Sequence, residues 1–241
     1  MTSTSIIPIS EINFNAIISK GWEVFKKYWP TLLGYTVLII VAHLLMSGIG
    51  AMIDQESAGL SLLFQLISGI VSLLVGMAYI YVLILAAEGK TITLETVFSR
   101  SHRIVSYLLG NILLTIVLMV GFILLIVPGI YFSIKYTFVP YLLIHKNIGV
   151  FESFSMSAKM TKGRKWQLFL YTLGFVGINI IGLLVLGVGL LITVPVSSLA
   201  FVVLYLSLVQ TGEGDAATTE IPVQTNEAGT VSTETPPQTQ L

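Results

Sequence analysis

Six apolar runs occupy most of residues 31–209, and their lengths suit a bilayer better than a soluble core. A helix needs about 20 apolar residues to cross about 30 Å of hydrocarbon. Thr31–Met52, Leu60–Ala86, Ile104–Val127, Trp166–Leu186 and Leu190–Val209 meet that length, whereas Ile130–Ile144 is shorter and contains Lys135 and Pro140. This fourth run reads as a kinked span or a re-entrant segment, and we take it as a span. Only 10% of the residues are charged and 55% are hydrophobic, against about 25% charged in soluble domains. The expected fold is an all-α polytopic bundle of six transmembrane helices over residues 11–209.

Charge placement sets the expected topology. Of the 12 Lys and Arg residues, only Lys135 falls inside an apolar run; the others lie in 20–27, 90–103 and 146–165. The loops after the first, third and fifth runs carry no cations: Asp54 and Glu56 in the first, a bare Pro128-Gly129 turn, and Gly187–Gly189. Basic loops stay on the cytoplasmic side, which puts both termini inside. The first ten residues lack a basic n-region and an apolar core, so no cleaved signal peptide is expected. They are polar, small and interrupted by Pro8, and are expected to dangle. Residues 210–241, with five acids and no cations, are expected to form a disordered cytoplasmic tail.

Each pair of spans follows an amphipathic, partly basic lead-in: 11–29, 92–103 and 148–165. In the first, Ile18, Trp22, Phe25 and Trp29 recur at helical spacing opposite Lys20, Glu23 and Lys27. That pattern suits a helix lying in the headgroup region; packing on the bundle as an ordinary cytoplasmic helix is the other reading. Pro30 would then open a new helix. Gly34, Gly110 and Gly174 mark comparable points of a weak threefold helix-pair repeat, and Gly48, Gly50, Gly69 and Gly76 suit close helix approach in lipid.

The segment PGIYFSIKYTFVPYLLI, followed by FESFSMSAKMTKGRKWQLF, carries Pro128, Gly129, Lys135, Pro140, Ser157, Thr161, Lys162, Gly163 and Trp166. With Pro195 and Tyr205 in the last run, it resembles the membrane domain that precedes the catalytic domain of some bacterial glycerophosphodiester phosphodiesterases. It is also similar to related stand-alone inner-membrane proteins. The resemblance covers about residues 90–210 and implies six spans in a bacterial inner membrane. Nothing after residue 210 reads as a phosphodiesterase barrel, so it implies no hydrolase activity.

Lys135 is the sharpest single residue, because an ammonium near a span centre costs about 2.5–3.5 kcal/mol. It either snorkels or pairs internally, or it binds an anionic lipid or substrate. Lys159, Lys162, Arg164 and Lys165 form the densest basic cluster, with Arg100 and Arg103 on the same expected face. They set topology and are suited to anionic headgroups, at about 1 kcal/mol per cation. His43, Gln65, Asn111 and Asn179 are polar within spans and read as interhelical hydrogen-bonding groups. His102 and His145 read as surface residues, and three scattered histidines with no cysteine offer no metal site. No GxSxG, HExxH or phosphate-binding glycine loop occurs, so neither enzyme activity nor a cofactor is expected. The expected partners are membrane lipids, anionic ones above all, then other copies or other membrane proteins, and no nucleic acid. The expected role is organising or handling lipid, or supporting membrane-protein assembly. A transporter using Lys135 and the proline-broken spans is the alternative.

Overall fold

The computed structural model describes residues 7–8, 11–53, 58–93, 96, 103–146, 148–185 and 187–219, with side chains as far as Gln210. Arg100, His102, Asp54 and Glu56 lie outside the described residues, as does most of the second lead-in. The long elements are all helices: α1 (Phe14–Ile53), α2 (Ala58–Ala87), α3 (Ile104–Leu124), α4 (Ile126–Lys135), α5 (Val139–His145), α6 (Val150–Met160), α7 (Lys165–Leu184) and α8 (Leu190–Thr219). Six stretches are long and apolar enough to cross a bilayer, namely α1, α2, α3, α4 with α5, α7, and α8 as far as Gln210. Their outer faces leave large apolar side chains bare, among them Leu44, Met52, Val127 and Leu184. A face of that extent belongs in lipid, and the chain is a multi-pass membrane protein.

The core is built around α8, where Leu199, Ala200, Val202, Val203 and Tyr205 are fully buried. Pro195 sits inside α8 and removes one rung of its hydrogen-bond ladder. The helix continues to Thr219, past the polar shift at Gln210, since extending an existing helix costs far less than starting one.

The lead-in and first span are two helical stretches joined at a kink, and Pro30 stands in the first turn of the second, as expected. The Asn13 side chain caps the first by accepting the Ala16 N–H at 2.8 Å. The bend falls at Tyr28 (φ −116°, ψ 18°), two residues before Pro30. One face of the lead-in packs on the bundle, with Ile17, Gly21, Val24 and Phe25 buried, while Trp22 and Trp29 of the expected stripe are exposed. A Cβ on Gly21 would lie 2.8 Å from the Ala200 nitrogen, so only glycine lets α1 this close to α8.

The N-terminal segment does not dangle at Ile7, which is buried and donates its N–H to Ser207 Oγ at 3.1 Å. Further on, Tyr171 Oη donates to the Ile12 carbonyl at 3.2 Å, and the Phe14 ring fills the space left open at Gly174. Gly174 thus faces a ring and Gly110 faces Leu143, whereas a side chain on Gly34 would meet nothing, so the three repeat positions have different surroundings.

The third and fourth spans turn at Leu125 (φ −172°, ψ 159°), not at Pro128-Gly129. Pro128 lies in the first turn of α4, where an N–H has no intrahelical acceptor to lose. Gly129 lies against the Phe122 ring and brings α4 close to Gly121 of α3, where a side chain would collide. The fourth span accordingly starts at Ile126 and consists of two helices, α4 and α5. Pro140 stands in the first turn of α5 rather than kinking a continuous helix.

Candidate functional site

The break between α4 and α5 leaves backbone groups without helical partners. In an unbroken helix the Lys135 carbonyl would take the Val139 N–H, but that N–H bonds to the Tyr136 carbonyl at 3.1 Å. Two hydroxyls from α6 and the turn after it fill the gap. Ser157 Oγ donates to the Lys135 carbonyl at 3.0 Å and accepts the Phe138 N–H at 3.3 Å. Thr161, one turn along on the same face, shares its proton between the Lys135 carbonyl (3.3 Å) and the Ser157 carbonyl (3.0 Å). Both are fully buried. Ser157 and Thr161 thus clamp open a helix break at the level of Lys135.

The clamp holds the Lys135 side chain at the end of α4. It is half-buried, with Nζ 5.0 Å from the Tyr136 ring centroid, a cation–π contact rather than an ion pair. One turn back on α4, Tyr131 Oη accepts a hydrogen bond from Lys165 Nζ, which also lies 4.1 Å from the ring centroid. Lys165 is the first residue of α7. The turn after α6 that delivers it contains Gly163 at φ +78°, a backbone conformation costly for any residue with a Cβ. Among the described residues, no carboxylate lies within ion-pair distance of Lys135 or Lys165. Two half-buried ammonium groups therefore sit against two phenols five residues apart, Lys165 on Tyr131 and Lys135 on Tyr136, with no carboxylate partner among the described residues.

The remaining expected residues lie around this cleft or apart from it. Lys159 and Lys162 are exposed and Arg164 precedes α7 half-buried. Trp166 is exposed and stacks on Phe169 at 5.4 Å, the placement of an interfacial anchor. Arg103 is buried at the head of α3, away from the surface expected for it. Asn111 bonds back to the Tyr107 carbonyl of its own helix, whereas Asn179 reaches Ser197 of α8 at 3.2 Å.

One polar cluster carries no sequence signal. His145, expected at the surface, is mostly enclosed: Nε2 meets Glu88 Oε1 at 3.2 Å and Nδ1 meets the Tyr205 hydroxyl at 3.0 Å. Lys90 Nζ holds the other Glu88 oxygen at 2.8 Å. Gly89 (φ 73°) ends α2 with the Lys90 N–H on the Leu85 carbonyl, and this turn sets Glu88 and Lys90 side by side. Burial pushes the Glu88 carboxyl up, but hydrogen bonds from His145 and Lys90, with their charges, outweigh it and hold the group at about 2. The cluster joins the ends of α2 and α5 to Tyr205 of α8. Only the separations of 57 and 60 residues kept it out of sequence view.

Residues 45–212 match the family described as Protein of unknown function (DUF975). No curated protein and no solved structure matches the chain.

Proposed function

The chain belongs to the DUF975 family, and on that premise we propose that it is a lipid-handling protein without catalytic activity, holding an anionic lipid phosphate between Lys135 and Lys165. The observation that carries this reading is that Lys165 on Tyr131 and Lys135 on Tyr136 are held by aromatic rings alone, with no acidic partner among the described residues. Charge at membrane depth is costly unless compensated, and a lipid phosphate supplies both charge and acceptor oxygens. Lysine serves as a point charge here, without the two-pronged geometry of arginine. Exposed Lys159 and Lys162, with Arg164, extend the positive surface beside the cleft, and the exposed Trp166 marks the headgroup level.

The positive-inside pattern supports cytoplasmic termini, and the likeness to phosphodiesterase membrane domains supports a bacterial inner membrane. The absence of hydrolase and nucleotide motifs from the sequence supports a non-catalytic role. Transport is the second reading. A cleft of about 320 Å³ beside the helix break is lined by Thr137, Thr172, Asn179, Ser197 and Ser198, and broken helices often frame substrate sites in transporters.

Mass spectrometry of the full chain in native lipid particles tests the lipid reading. Wild type is expected to carry anionic phospholipid, Lys135→Leu to retain less, and Lys135→Leu with Lys165→Leu to retain no more than bulk membrane. Unchanged lipid content in the double variant removes the proposal. Substrate-dependent flux in proteoliposomes would favour transport instead.

A further inference from the structure

A second feature stands on different observations. The C-terminal half of α1 and the facing side of α2, with Leu190 and Val194 of α8, line two adjoining open cavities of about 570 and 430 Å³ that share His43, Ser72 and Val75. These volumes lie within the range of small-molecule sites. The walls are mostly apolar, and among the described residues no charged side chain lines either cavity.

The polar groups are specific. His43 Nδ1 lies 2.9 Å from the Ile39 carbonyl, which only accepts, so Nδ1 carries the proton. Nε2 lies 3.1 Å from the Ser72 hydroxyl, so both ring nitrogens are engaged. Deeper in, Tyr79 Oη is enclosed and makes no hydrogen bond of good geometry, although the Thr36 and Ser198 hydroxyls lie nearby. At the other end, Gln65 offers an amide with both donor and acceptor atoms.

We propose that this groove binds an uncharged lipid of the glyceride type. Its hydroxyl and ester carbonyls would meet Gln65 and the His43–Ser72 pair, with the acyl chains along the bare outer faces of α1 and α2. Charge complementarity makes the choice. An ionic headgroup would find no counter-charge here and would keep its desolvation cost. A ligand with acceptors alone would leave the site's own acceptors unmet. This groove is thus chemically the opposite of the Lys135–Lys165 cleft, and neither proposal needs the other.

The test uses the full chain in phosphatidylcholine liposomes containing a trace of photoactivatable diacylglycerol. Photoactivatable phosphatidylglycerol and a photoactivatable long-chain alcohol are run in parallel, and labelled peptides are mapped by mass spectrometry. The diacylglycerol probe is expected to mark residues 39–51 and 64–79, to be displaced by unlabelled diolein and to persist in excess phosphatidylglycerol. Gly69 lines the groove and a Cβ there meets nothing within 4 Å, so Gly69→Leu should block labelling without disturbing the bundle. Ser72→Ala preserves shape but releases His43, and should weaken labelling by about tenfold, the value of one well-placed polar group. Labelling that ignores both variants overturns the proposal. So does equal labelling by phosphatidylglycerol or by the long-chain alcohol, or ready disulfide linkage of two chains through Gly69→Cys, which would mean that a second copy covers the groove.

Discussion

Removing the hydroxyls that hold the fourth span open should cost more together than the sum of their separate costs. Ser157→Ala deletes one donor to the Lys135 carbonyl and leaves the buried Phe138 N–H without an acceptor. A buried unmet donor costs about 1–3 kcal/mol, and the 3.3 Å bond places this one towards the low end, at about 1–1.5 kcal/mol. Thr161→Val keeps the shape and the Ser157 bond, so it should cost only about 0.5 kcal/mol, close to the average for polar pairs between membrane helices. Either single variant leaves one hydroxyl on the Lys135 carbonyl; the double variant leaves none. That adds a second unmet buried group, and the double should lose about 3 kcal/mol. The coupling of about 1 kcal/mol is well outside the few tenths expected of independent sites. Equilibrium unfolding of the two singles and the double in bicelles measures it. Additivity within about 0.5 kcal/mol would mean that the carbonyl finds water or another donor, and the clamp would lose its physical basis.

Glu88 predicts a dependence on pH. Its carboxyl is held at about 2, below the ordinary 4.5, so its stabilisation is fully present above about pH 4.5 and fades as pH falls towards 2. The stability gap between wild type and Glu88→Gln should therefore be widest near neutrality and shrink in acid, as thermal unfolding at several pH values would reveal. Gly21→Ala should shift α1 off α8 and destabilise the bundle by about 1–3 kcal/mol, because the obstacle is the Ala200 backbone rather than a movable side chain; an unchanged melting temperature would contradict that packing. In intact cells, a membrane-impermeant reagent should label Gly187→Cys and leave Lys162→Cys untouched, and the reverse pattern would invert the proposed topology.

The sequence exposed the spans because twenty apolar residues have few other uses, and it exposed Lys135 because an ammonium stands out among them. It did not disclose where the fourth span begins. Proline and glycine at 128 and 129 look like a turn, but proline is harmless in a first helical turn and glycine serves equally for close packing. The first lead-in shows a related limit: its tryptophan stripe was legible, but the face of Ile17, Gly21 and Val24 that packs on α8 depends on the backbone distance to Ala200, for which a sequence holds no symbol. In the sequence, Ser157 and Thr161 stand out only as positions of the family-like motif. Their acceptor, a carbonyl freed 22 and 26 residues earlier, could not be read from side chains at all.

The strap formed by Ile7 against Ser207 sets a timetable for biogenesis. Its two ends are 200 residues apart, so at about 5–20 residues per second the start of the chain waits about 10–40 s for its partner to be synthesised. During that interval Ile17, Val24 and Phe25 have no α8 to cover them. The newborn lead-in must rest on the bilayer surface or on an insertion factor, and the bundle closes only when its final helix arrives.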